Sequence, residues 1–359
     1  MSVLVVGSGI IGLTTAHLLS QSGKKVLIRS MAPLSSTCSR GAGGLWMPFH
    51  CDDVNTNRWA RTTLLKYLTL AETPEEPLGK HVEIVQTTVY KNLTQFSKND
   101  TDSYTNPTSS HPTWASENPE LVFQAINMSQ LEWQGSLSSM HIPSTMKDNY
   151  SDAWTFKAPI IDSLKYMEDL KGMCLEGGVD IKEDVEYTDS SSILSSAISS
   201  GCTSIVNCSG LGSSTLTSDS DLIPGRGVLY YYKRPPTFNS CILIDDGPIG
   251  SPDFPVYAIP RGDVVAVGGC YLEGDDEGNI RESEHDLLTR NAEMLLPGEG
   301  WEKVGEWAGL RPVRKGGVKL GVNEELSNGG VTWVDNYGHG GSGWTVADGC
   351  AEDVREIIG

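Results

Sequence analysis

Val3-Leu4-Val5-Val6-Gly7-Ser8-Gly9-Ile10-Ile11-Gly12 decides the fold. Val3 to Val6 is apolar and rich in β-branched residues, and it stops at Gly7; this is the pattern of a parallel strand buried on both faces. Gly7, Gly9 and Gly12 stand at GxGxxG spacing, and Leu13 to Gln21 then reads as a helix. Strand, glycine turn and helix in that order form a dinucleotide site. Gly7 allows the tight turn, Gly9 lets backbone N–H groups approach a pyrophosphate, and Gly12 lets the helix pack on the strand. Ser8, Ile10 and Ile11 add N–H groups at the positive end of the helix. The competing reading is a glycine turn without a ligand. Lys25 to Ile28 is the second strand, after which an ordinary NAD site carries an acid. Here the strand ends Arg29-Ser30. Both residues flank the expected cofactor, and the ribose contact must come from elsewhere.

Composition narrows the choices. The chain has 359 residues, enough for two domains, and a net charge of −19. That charge argues against nucleic acid and anionic membrane surfaces as partners, since both are bound through basic patches. No apolar run is long enough to span a bilayer, and Val3 to Ile11 reads as a strand and turn rather than a secretory signal. The 8 cysteines show no CxxC or Cys/His metal spacing; they read as small core residues in a reducing compartment, and no metal is expected.

Residues 33–44 form a Ser/Thr/Gly-rich loop offering hydroxyls and close backbone approach, which suits phosphate and a flat ring. Leu45 to His50 is apolar enough to be a ligand wall. Thr56 to Glu72 has the spacing of an amphipathic helix. Val82 to Asn149 reads as irregular, with a surface insertion over 91–118. A helix is predicted over Ile160 to Leu175, strands over Val179 to Ile181 and Ile205 to Cys208, and a glycine turn over Ser209 to Gly212. Val228–Tyr232, Cys241–Ile244, Val256–Ile259 and Val264–Val267 read as strands. A helix over 281–295, a strand over Val331 to Val334, a glycine loop over 337–344 and a last helix from Thr345 to Ile358 complete the chain.

These stretches together resemble the D-amino-acid oxidases, flavoenzymes related to D-aspartate oxidase. The carrying motifs are GSGIIGL at 7–13, GLWMPF at 44–49, IVNCSGLG at 205–212, PGRG at 224–227, VYAIPRG at 256–262, VGGCY at 267–271, GLRPVR at 309–314 and NYGHGGSG at 336–343. The resemblance implies an α/β fold: a discontinuous Rossmann-like FAD-binding domain (1–55, 155–222, 305–359) and a second α+β domain on a mixed sheet (56–154, 223–304). It places the carboxylate-binding arginine on Arg311, its neighbouring tyrosine on Tyr257 and a second tyrosine on Tyr271. The loop facing pyrophosphate and isoalloxazine falls on Ser36, Thr37, Arg40, Gly41, Ala42, Gly43, Gly44 and Leu45. Val185 matches an adenine-side backbone contact, and Ser209 with Gly210 a turn beneath the cofactor. The flavin-facing loop runs through Gly338, Gly340, Gly341, Ser342, Gly343, Trp344 and Thr345. Ser30 departs from the family's acid, and the Gly41 to Gly44 stretch is one residue longer than usual.

The chemistry implied is hydride transfer from an amino acid's Cα to flavin N5, then reoxidation by dioxygen to hydrogen peroxide. Hydrolysis of the imino acid gives a 2-oxo acid and ammonia. Arg311 would fork onto the carboxylate, Tyr257 would donate a further hydrogen bond, and a carbonyl at Gly341 or Ser342 would accept from the amine. Arg314 reads as structural. D-aspartate oxidases carry an arginine where Tyr271 stands; only His50 and Arg261 offer a second cation. Neutral D-amino acids are therefore expected, with D-aspartate, glycine or N-methyl amino acids as alternatives and a turnover-free flavin-binding protein as the rival class. A homodimer is one expected assembly. Family members often end in a Ser-Lys-Leu-type signal; Ile357-Ile358-Gly359 is not one, which leaves a peroxisomal or cytoplasmic location as the expectation.

Overall fold

The computed structural model describes residues 1–48, 53–91, 112–127 and 144–359. Ten α-helices lie among them: α1 (Ile10–Gln21), α2 (Cys38–Gly41), α3 (Thr56–Ala71), α4 (Thr113–Ser116), α5 (Ser144–Asn149), α6 (Ser163–Glu176), α7 (Ser190–Ser199), α8 (Ser213–Leu216), α9 (Glu282–Leu295) and α10 (Gly343–Ile358).

Two sheets organise the described chain. The first takes β1 (Ser2–Val6), β2 (Lys25–Arg29), β6 (Asp180–Lys182), β7 (Ser204–Asn207), β14 (Lys319–Val322) and β15 (Thr332–Tyr337), in the order β14-β15-β7-β1-β2-β6. From β15 to β6 every pairing is parallel, and β14 closes the edge antiparallel. β1 sits between β2 and β7, so successive connections leave it in opposite directions. A crevice opens at such a switch point, beyond the carboxyl ends of the strands. Helices α1, α6 and α10 cover one face: Val3, Val5, Val26 and Ile28 are buried with Ile10, Leu13, Leu170 and Val354. Leu4, Val6 and Trp333 pack with Ile193 and Ala197 on the other face.

The second sheet takes β3 (Val82–Lys91), β4 (Gln124–Asn127), β5 (Asp152–Ile161), β8 (Leu222–Lys233), β9 (Ser240–Ile244), β10 (Val256–Arg261), β11 (Val264–Gly268), β12 (Leu272–Glu273) and β13 (Lys303–Arg314). It is mixed, since β3 runs parallel to β9 whereas the other pairs are antiparallel. β8 is its spine: β11 and β12 pair along one side and β13 along the other.

Three expectations need correction. β5 runs through Ile160 and Ile161, so the next helix starts only at Ser163, where Asp162 accepts from the Lys165 N–H. Residues 155–161 and 305–314, expected in the dinucleotide part, are strands of the second sheet. Val82 to Lys91, expected to be irregular, is a ten-residue strand paired on both sides. The alternation of its apolar residues is broken by Gln86, Thr87 and Thr88, and buried neighbours on both sides hold it in place. Most of the expected 91–118 insertion, together with Phe49, His50, Leu131 and Trp133, lies outside the described residues. No helix among the described residues is long and apolar enough to cross a membrane, and no cluster of potential metal ligands occurs there.

Candidate active site

The first half of the site is built at the carboxyl ends of β1, β2 and β7. Gly7 turns with φ of +106°, and a Cβ there would lie 2.5 Å from the Cys208 carbonyl oxygen. A Cβ on Gly12 would lie 2.1 Å from the Gly7 carbonyl. β1, α1 and β7 approach too closely for any other residue at either position. α1 has no side-chain cap at Gly9. Ser39 Oγ accepts from the Ile10 N–H at 3.1 Å, which ties the 36–45 loop to the helix start; Ile11 is buried behind it. Ser8 is buried and its hydroxyl has no partner among the described residues. A buried hydroxyl without a partner beside an uncapped helix N-terminus is a cradle for an anion. FAD's pyrophosphate fits it.

At the end of β2 the structure separates backbone from side chain. The Arg29 side chain is spent on Asp180: it is buried, ion-paired at 2.7 Å, and donates to the Ile28 and Asp180 carbonyls. These bonds commit the guanidinium to the neighbouring strand. Ser30 donates its hydroxyl to the Ala32 carbonyl, and its own carbonyl accepts from the Val185 N–H. Glu183, just past β6, reaches the Leu34 N–H at 3.4 Å and pairs with Lys171. The segment after β2 is thus met by an acid from just past the adjacent strand. The sequence signal was an acid one residue beyond Asp180-Ile181-Lys182.

The 36–45 loop bridges the two sheets. Leu45 pairs antiparallel with Ile160, Gly44 accepts from the Ile161 N–H, and a Cβ on Gly43 would strike Ile259. Ser36 is exposed, and Thr37 donates to the Leu34 carbonyl. Arg40 lies over the Trp307 ring at 5.4 Å, Gly41 is pressed against the same indole, and Tyr231 donates to the Gly41 carbonyl. Trp307 and Tyr231 were missed in the sequence; Trp307 lies four residues before Arg311 on one strand, so both point the same way. Arg261, considered above as a second substrate cation, is committed elsewhere. Its guanidinium donates to the Arg40 and Ala42 carbonyls and to Ser163 Oγ, and stacks on Tyr231 at 5.0 Å.

The last loop closes the crevice from the other side. Gly338 and Gly340 have positive φ, and Gly340 donates to the Pro312 carbonyl. Gly341 is exposed, Ser342 is fully buried, and α10 starts at Gly343 without a side-chain cap. Two residues of this loop hold the walls rather than offer side chains. Trp344 donates its indole N–H to the Ser39 carbonyl, and Thr345 exchanges hydrogen bonds with the Met47 backbone. Burial pushes the His339 imidazole down to about 3, so it stays neutral. After β7, Ser209 donates to Asn207 Oδ1, and a Cβ on Gly210 would lie 4.0 Å from the Pro312 side chain.

The second half of the site stands on β13, whose residues from Trp307 to Arg314 are all only partly buried. Arg311 pairs with Gly225 of β8, and its guanidinium lies over Gly227, where a Cβ would be 2.3 Å from both terminal nitrogens. It donates at 3.4 Å to the Gly225 and Cys270 carbonyls and sits 5.0 Å from the Tyr271 ring centroid. No carboxylate pairs with it in the described structure. Tyr257 packs its ring on Gly268 nearby. Burial pushes its phenol up to about 12 against the opposing pull of Arg311, so it remains a hydrogen-bond donor at any working pH. Arg314 is structural, holding Asp219 at 2.9 Å.

The family model described as FAD dependent oxidoreductase, DAO, matches residues 2–357. The chain belongs to the DAO family. It is an oxidoreductase, and FAD is its cofactor. Among curated relatives, a D-amino-acid oxidase of Streptomyces coelicolor is 27% identical over 99% of this chain and 96% of its own. A D-aspartate oxidase of Caenorhabditis elegans is 26% identical over 99% of this chain and 96% of its own. Among solved structures, the glycine oxidase of Geobacillus kaustophilus superposes with a TM-score of 0.74 at 18% identity, covering 99% of this chain and 94% of that one. The last comparison establishes the shared fold of this DAO member.

Proposed function

We propose that the protein oxidises D-amino acids with neutral side chains. The observation that carries this is the unpaired guanidinium of Arg311, held flat over Gly227 between Tyr257 and Tyr271. A guanidinium offers a carboxylate two parallel donors, and the Tyr257 hydroxyl adds a third. Fixing the carboxylate fixes the rotation of the whole substrate and aims one Cα hydrogen into the crevice. The exposed backbone at Gly341 supports acceptance of a hydrogen bond from the amine. FAD, when bound, supplies the two-electron acceptor for that hydrogen and, with dioxygen, the route back to the oxidised enzyme through hydrogen peroxide. An imino acid is released, and water converts it to a 2-oxo acid and ammonia. No side-chain base is required if the amine enters neutral.

The preference for neutral over acidic substrates follows from cation bookkeeping. Arg261 is engaged by the 36–45 loop, and Arg226 is fully buried against Glu284 at 2.8 Å. Neither Arg261 nor Arg226 is thus free to receive a second substrate carboxylate, and burying one unpaired is costly. Glu183 is the proposed acceptor for the FAD ribose hydroxyls.

A panel of D-alanine, L-alanine, D-aspartate, glycine and sarcosine, read by peroxide release, tests the reading. D-alanine should be turned over, and L-alanine should not. Turnover confined to D-aspartate would transfer the protein to the acidic class, and turnover confined to glycine or sarcosine would transfer it to those oxidases.

A further inference from the structure

Resting on the carboxylate clamp just proposed, we infer that Trp307 is a further substrate-binding residue, whose indole N–H donates to the α-carboxylate held by Arg311. An ionised carboxylate offers about four lone-pair sites. The guanidinium fork and the Tyr257 hydroxyl account for three of them, which leaves one for a neutral donor.

Strand register brings the indole to that place. Gly227 of β8 stands opposite Gly309 of β13, with Leu229 opposite Trp307 and Gly225 opposite Arg311. Trp307, Gly309 and Arg311 alternate along one strand, so they face the same side of the sheet. Trp307 and Arg311 lean from either end toward the same glycine pair. A Cβ on Gly227 would be 2.3 Å from both terminal nitrogens of Arg311, and a Cβ on Gly309 would be 2.5 Å from the indole nitrogen of Trp307. Opposed Cβ positions in such a pair share a face and lie about 5 Å apart. One carboxylate oxygen set between them reaches both donors.

The indole is aimed as well as near. The two ring carbons beside its nitrogen lie 3.3 and 3.4 Å from the Gly309 Cβ position, farther away than the nitrogen and almost equally so. The N–H bond therefore points at that position, into the space that the two glycines leave open. The ring is held there from its faces. A Cβ on Gly41 would be 1.9, 2.2 and 2.3 Å from the nitrogen and its two flanking carbons, and the Arg40 guanidinium lies over the ring at 5.4 Å. Trp46, Trp59, Trp301, Trp333 and Trp344 each donate their indole N–H to a carbonyl or carboxylate. The Trp307 N–H has no acceptor among the described residues. Trp307 is only partly buried, so water competes for this donor and its loss costs several-fold rather than orders of magnitude.

The test is Trp307→Phe in the holoenzyme, since phenylalanine keeps an aromatic ring under Gly41 and Arg40 but has no N–H. Propanoate, a carboxylate of alanine length without the amine, is titrated in and its binding read from the flavin spectrum. The variant should bind propanoate about fivefold more weakly and should raise KM for D-alanine more than it lowers kcat, with flavin absorbance retained. A tryptophan that only packs would leave the propanoate affinity unmoved. In the unsubstituted holoenzyme with isotopically labelled indole nitrogens, one N–H resonance should move downfield on saturation with propanoate; that spectrum decides the matter if the variant loses FAD. Unmoved propanoate affinity in the flavin-bound variant, or no indole resonance that moves, overturns the role of Trp307, and the clamp stands if Arg311→Lys still weakens propanoate. Propanoate bound equally well by Arg311→Lys overturns the clamp and the role of Trp307 together.

Discussion

Gly227 and Arg311 depend on each other through a single contact. A methyl group on Gly227 would occupy the place of the guanidinium nitrogens, 2.3 Å away. Gly227→Ala should therefore lower kcat/KM for D-alanine at least tenfold while FAD is retained, as measured by steady-state peroxide release and flavin absorbance. Arg311→Lys keeps the charge but loses the fork, and should cost about 2 kcal/mol or more of transition-state binding, some thirtyfold in kcat/KM. Tyr257→Phe removes one neutral donor, worth about 1 kcal/mol, and should raise KM several-fold with little effect on the pH profile, because the phenol stays protonated well above neutrality. These residues were legible in the sequence because the backbone and the clamp demand particular residue types. The commitments of Arg29, Arg261 and Thr345 were not. Each was read as a contact to cofactor or substrate, yet its side chain is spent on a distant partner, Asp180, Ala42 or Met47, which no local pattern reveals.

At the scale of elements, α10 carries its own pH dependence. Burial raises the Asp348 carboxyl to about 6, with Lys66 pulling the other way. Its folded value therefore exceeds the unfolded one, near 3.8. The stabilisation is complete below the unfolded value. It is lost as pH rises through 6, where the fold must accept a half-buried carboxylate at a cost on the order of 1–2 kcal/mol after solvent screening. Asp348→Asn should leave Tm nearly unchanged at pH 4 and raise it at pH 8; thermal melts across that range measure the difference. The long elements α1, α3, α9 and α10 were readable from apolar spacing. α7 was not, since its Ser-rich run has little periodicity and is set by a capping box between Asp189 and Ser192. β13 was readable as a motif, but its placement depended on pairing with β8, far away in sequence.

At the scale of the molecule, the proposed cofactor crevice runs beside the 36–45 loop, which touches α1, packed on the first sheet, through Ile10 and the second sheet through Ile160. FAD should therefore stabilise the whole fold rather than one half. At a hundred times its Kd the gain is about 2.7 kcal/mol, so the Tm of apoprotein should climb with the logarithm of added FAD. Gly12→Val, which forces a side chain into the Gly7 carbonyl, should abolish that climb. Division of the chain between the sheets could not be read from composition, because strands of the second sheet interrupt the first repeatedly along the sequence.

The claim on which these readings rest is that Arg311 grips the carboxylate of a D-amino acid at the flavin. Anaerobic mixing of the holoenzyme with D-alanine and with L-alanine, followed by flavin absorbance, tests it most directly when repeated on Arg311→Lys. The expected result is rapid bleaching by D-alanine alone, saturating in the parent and no longer saturating in the variant. Bleaching by L-alanine, or an unaltered dependence on D-alanine concentration in the variant, would contradict it.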